Sequence, residues 1–107
     1  MRFKTGLVVG KFSPLHKGHE YLIKTAKAQC DRLLILSYSN PEFIGCEAAK
    51  REKWLEKFAF EADIKVLQVD EAMPDNDALD DVHREFTANT CHMHFRVTPD
   101  AVFTSEM

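Results

Sequence analysis

Nothing in this 107-residue chain approaches the ~20 consecutive apolar residues that cross a bilayer. Its N-terminal run, "MRFKTGLVVGKF", is too short and too interrupted by glycine to act as a signal peptide. An excess of basic residues is also missing. Fourteen Lys and Arg face seventeen Asp and Glu, for a net charge of −3, which gives no general footing for nucleic acid or a membrane surface. Cysteine is scarce: three residues, an odd number, widely spaced and without a CxxC. That argues against a disulfide scaffold and for reduced thiols in the cytoplasm. Internal repeats, low-complexity tracts and linkers are absent, so residues 1–107 read as one domain. Two phosphate-binding fingerprints are missing as well. Without GxxxxGK[ST] a P-loop kinase or ATPase is unsupported, and without GxGxxG so is a dinucleotide dehydrogenase. Any phosphate-bearing ligand must then be met by local cations and backbone amides.

What is present alternates between short apolar runs and helical periodicity. "GLVVGKF" (6–12) is a compact, valine-rich run bounded by glycine and reads as a buried strand. From Gly18 the period changes, with Leu22, Ile23, Ala26 and Cys30 on one helical face and Lys24 and Lys27 on the other. "RLLILSYS" (32–39) is a second strand. Residues 47–61 predict an amphipathic helix, its stripe of Trp54, Leu55, Phe58, Ala59 and Ala62 opposed by Lys50, Arg51, Lys53 and Lys57. "IKVLQVDEA" (64–72) is a third strand. A helix over about 78–90 should turn Leu79, Val82 and Phe86 inward, and "DAVFTSE" (100–106) is a fourth strand. Strands apolar throughout require helices on both faces. The expected fold is therefore α/β, a three-layer, Rossmann-like doubly wound parallel sheet that stops after its fourth strand. Ligands of such sheets bind beyond the carboxyl ends of the strands where the strand order reverses, usually beside the first strand.

"GKFSPLHKGH" (10–19) starts at that place. Gly10 permits a close approach to the backbone, and Pro14 stiffens the turn. Gly18 and His19 open a helix whose free amides and dipole favour an anion. His16 and His19, three residues apart, can project toward one point, with Lys11 and Lys17 nearby. Two imidazoles, helix amides and lysines suit a polyphosphate whose charge shifts during reaction. A zinc site on the same histidines would need further ligands that the sequence does not identify, so no metal-ligating residue is assigned.

The same ten residues carry the GxFxPxHxGH signature at all six fixed positions, and the chain resembles the nucleotidyltransferases with an HxGH motif. "VVGKFSPLHKGHEYLI", "KREKWL" and "VFTSE" are most similar to nicotinamide-mononucleotide adenylyltransferases, in the version fused to a ribosylnicotinamide kinase. The resemblance implies adenylyl transfer from ATP to nicotinamide or nicotinate mononucleotide with release of pyrophosphate, in NAD biosynthesis. His16 and His19 would be catalytic, Gly10, Lys11, Phe12 and Gly18 would bind phosphate with them, and Mg²⁺ would bridge the ATP phosphates. Alternatives within the superfamily act on phosphopantetheine, FMN or, with CTP, a phospho-alcohol. A non-catalytic nucleotide-sensing domain is the alternative of another class. The family's second signature, ISxTxxR, is absent. The expectation is an N-terminal portion of a longer protein, itself weakly active or inactive and able to self-associate through an exposed fourth-strand edge.

Other side chains carry weaker expectations. Ser13, Arg51, Ser105 and Glu106 are candidate substrate contacts, although Ser13 is first a turn former and Arg51 is first a solvated charge. Trp54 is expected in the core rather than against a ligand ring. Cys91, His92 and His94 read as a chance cluster at a helix end, and Asp75, Asp77, Asp80 and Asp81 as capping or solvated carboxylates.

Overall fold

The computed structural model describes residues 3–12, 15–69 and 73–104. Within them run β1 (Phe3–Gly10), α1 (Lys17–Gln29), β2 (Cys30–Ser37), α2 (Ala48–Leu55), a 3₁₀ turn (Glu56–Phe58), β3 (Asp63–Val66), α3 (Asp80–Phe95) and β4 (Ala101–Thr104). The four strands form one parallel sheet in the order β3-β2-β1-β4. The chain steps outward from β1 to β2 to β3 and then returns to the far side of β1. The reversal therefore lies between β1 and β4, as the doubly wound reading requires.

Alternate residues of the central strands enter different cores. Val8, Leu33 and Ile35 pack with Ile23, Ala26, Leu55 and Phe58 beneath α1 and α2. Leu7, Leu34 and Leu36 pack with Tyr38, Met73 and Cys91 beneath α3. Two cores on one sheet make three layers, and they explain why strand residues apolar in succession are all buried.

Several boundaries differ from the sequence reading, each for a local reason. β1 stops at Gly10 because Phe12 takes a left-handed conformation (φ 53°) that no strand can include. α1 runs straight into β2 with Cys30 as both helix cap and first strand residue, so β2 begins two residues early. Close packing admits that junction: a Cβ on Gly6, next to β2, would collide with the Cys30 sulfur. β3 is only four residues long, and 70–72 lie outside the described residues.

The helix faces needed more correction. In α2 the buried stripe is Ala48, Arg51, Leu55 and Phe58, whereas Trp54 is half-buried and Ala59 exposed. Arg51 is thus not on the solvated face. α3 extends five residues past the expected end, to Phe95, and closes on left-handed Arg96. Its inward side is Phe86, Thr90, Cys91 and Phe95, while Leu79 and Val82 are 76% and 46% exposed. The expected capping aspartates do not cap it. Leu79 is the N-cap without a side-chain bond, and Asp80 and Asp81 instead place negative charge in the first turn.

Candidate functional site at the carboxyl end of the first strand

Gly10, Ser37 and Val66 stand in register at the carboxyl ends of β1, β2 and β3. From there the chain turns through Phe12, whose buried ring fills the core under α1 and meets the His19 ring edge-on at 4.8 Å. A positive φ is strained for a bulky residue, but it swings the chain from the strand across to the start of α1.

Helix α1 begins with an unusual cap. His16 is the N-cap, and its Nδ1 accepts the Gly18 amide at 3.1 Å. In return the His16 amide donates to Nδ1 of His19 at 3.2 Å. The two rings stack, with centroids 3.8 Å apart. This is the reciprocal arrangement of a capping box, built from two histidines where Ser or Thr and Glu are usual. Its chemical consequence concerns tautomers. An Nδ1 that accepts a backbone amide holds no proton, so each imidazole carries its N–H on Nε2. His16 is exposed, and His19 is only 7% exposed, on the buried stripe that continues through Ile23 and Ala26. Gly18 leaves room for the His16 ring: a Cβ there would come within 2.9 Å of His16 Cε1 and displace it.

On the opposite, α3, face of the sheet a cleft of about 550 Å³ opens beside the same strand end. Its floor is apolar, from Leu7, Val9 and Val102, and its mouth is polar, from Lys11, Tyr38, Asn76, Asp80, His83 and Arg84. Tyr38 and His83 share a 2.8 Å hydrogen bond between the hydroxyl and Nδ1. The loops above are tied together. Asn40 and Asn76 exchange bonds of 2.8 Å and 2.7 Å, and Asn40 also donates to the Met73 carbonyl at 2.9 Å. Lys11 reaches over the Phe43 ring on the loop after β2.

The structure thus brings Phe12, His16, Gly18 and His19 together, while Gly10 and Lys11 line the cleft on the other face of the sheet. Arg51 is fully buried behind them, which corrects its placement on a solvated face. Ser13, Ser105 and Glu106 lie outside the described residues. Cys91 is buried and desolvation pushes its thiol up to about 11, while His92 and His94 are exposed, so "CHMH" does not converge. Among the described residues no three His, Cys, Asp or Glu side chains are placed to hold a metal ion. Sequence reasoning missed Tyr38, Asn76, His83 and Arg84. Only Tyr38 carried a usable signal, following the end of a central strand; the others reach the cleft through the packing of α3.

A parallel sheet with a polar cleft at its strand reversal defines a doubly wound, Rossmann-like α/β domain. The model of the cytidylyltransferase-like family matches residues 7–101, and the chain belongs to that family. Membership makes nucleotidyl transfer its general activity. No curated protein matches the chain. No described helix is long and apolar enough to cross a membrane.

Proposed function

We propose that the chain is an adenylyltransferase domain that joins AMP from ATP to nicotinamide or nicotinate mononucleotide. A phosphate oxygen of the mononucleotide attacks the α-phosphorus, a new P–O–P bond forms, the bond to the β-phosphate breaks, and pyrophosphate leaves. The observation that carries this reading is the histidine cap: both Nδ1 atoms are committed to backbone amides, which leaves Nε2–H as the donor on each ring. Two such donors at a helix N-terminus can stabilise charge as it moves onto the leaving oxygens without moving themselves. Gly10 and Lys11 line the cleft on the other face, where the acceptor would lie with cations from Lys11 and Arg84 near its phosphate. The choice of mononucleotide rests on the likeness of "VVGKFSPLHKGHEYLI" to that subfamily.

Mg²⁺ would enter this scheme with the triphosphate, whose negative charge it would share. A second reading has CTP as donor and a phospho-alcohol as acceptor, which general nucleotidyl transfer accommodates equally. Pyrophosphate release measured with ATP and CTP against nicotinamide mononucleotide, phosphopantetheine, FMN and a phospho-alcohol separates the two. Nucleotide binding without turnover would identify a sensing domain instead.

The histidine role has its own test. His16→Ala should lower turnover on the order of 10²–10³, the scale for losing one transition-state donor. His16→Asn should lose as much activity yet keep its stability, because asparagine is a good N-cap. Unchanged turnover in either folded variant would sink the role.

A further inference from the structure

Arg51 is the largest fully buried side chain of the described residues. Its Nη1 donates to Ser37 Oγ at 2.8 Å, and its Nη2 to Glu42 Oε1 at 2.9 Å and the Leu67 carbonyl at 3.3 Å. Glu42 Oε1 also accepts the Ala48 amide at 3.1 Å, at the start of α2. Nε has no partner among the described residues. As a device for stability this is poor. The guanidinium is wholly desolvated, one donor goes unmet, and its neighbours on the buried stripe are Ala48, Leu55 and Phe58, where an apolar residue would pack.

Where the hydrogen bonds lead gives a reason to keep it. The Ser37 hydroxyl, held by Nη1, donates to the Lys11 carbonyl at 2.9 Å. That carbonyl belongs to the peptide preceding Phe12, the residue at φ 53° whose ring abuts His19. The guanidinium polarises the hydroxyl and strengthens its bond to that carbonyl. A strained turn keeps its shape only when its surroundings over-determine it.

Resting on the phosphate-transfer reading, we propose that Arg51 is a positioning residue: through Ser37 Oγ and the Lys11 carbonyl it holds the Phe12 turn, and so fixes the ring of His19 against the reacting phosphates. It acts at a distance and touches no substrate. Glu42 balances its charge and ties it to the start of α2.

The test uses the full chain with Ser37→Ala, Arg51→Lys and Arg51→Met, each checked for folding by its melting temperature. The first readout is the ¹⁵N and ¹H NMR signature of the histidine rings, which reports tautomer without requiring activity. Ser37→Ala and Arg51→Met should stay folded and shift His19 away from a pure Nε2–H form. In the pyrophosphate-release assay with MgATP they should lower kcat by about 10- to 10²-fold, the scale for a misplaced catalytic group, with KM moving far less. Arg51→Lys, which restores a charge and one donor, should recover part of both signals. Unaltered ring signals in folded Ser37→Ala and Arg51→Met would overturn the proposal, as would loss of folding in Ser37→Ala. A wild-type chain that binds none of the donors or acceptors by calorimetry would defeat the functional reading alone, since the ring signals would still decide this one.

Discussion

At the scale of single residues, Gly18 separates what helps the helix from what helps the site. Glycine inside a helix is less favourable than alanine by about 1 kcal/mol. Yet its missing Cβ is what admits the His16 imidazole, whose Cε1 and Nδ1 lie 2.9 Å and 3.1 Å from where that carbon would be. Gly18→Ala is therefore expected to leave the melting temperature nearly unchanged, its helix gain offsetting the lost His16 cap, while displacing the ring and lowering turnover at least about 10-fold. A fall in both, seen by calorimetry beside the pyrophosphate assay, would contradict this separation. The motif's residues were legible in the sequence because their spacing states their chemistry. The use of Nδ1 as cap was not, since it depends on the rotamers that two stacked rings adopt.

Elements show where pattern reading fails. Strands were legible because a strand buried on both faces announces itself by composition alone. Helix faces were legible only where the chemistry of a side chain agreed with its angular position. Arg51 lies at helical spacing from Ala48, Leu55 and Phe58, and the period alone puts it inside. Its charge argued for the outside, and a hydrogen-bonded serine, carboxylate and carbonyl overrode that argument. In α3 the opposite happened: Leu79 and Val82 look like core and are exposed, because the helix packs through its later turns, from Phe86 to Phe95. Val82→Lys should thus change stability by less than about 0.5 kcal/mol. Leu34→Ala, in the central strand, should cost about 2–5 kcal/mol. Urea denaturation of both variants checks the pair.

For the whole molecule, two consequences follow from how the layers close. Cys91 is sealed in the core under α3, and burial pushes its thiol up to about 11 against an ordinary value of 9.0. Between those pH values the unfolded chain gives up the Cys91 proton and the folded chain keeps it. Stability must therefore decline as pH rises through that window. Cys91→Ala should remove this component of the alkaline slope, read from urea midpoints between pH 8 and 11. The second consequence concerns β4, which pairs only with β1 and leaves its other side open in the described sheet. Such an edge is a template for another strand. We expect concentration-dependent self-association by analytical ultracentrifugation, reduced by Val102→Lys on the exposed β4 surface. A monomer at every concentration would refute it.

The Gly10–Lys11 dipeptide is common to the two halves of the site, since the histidine cap lies across one face of the sheet and the cleft across the other. In the proposed reaction, donor and acceptor would be measured from a single origin. A sway of the strand end would carry both together, and the distance between the reacting atoms would survive motions that alter everything else about the opening.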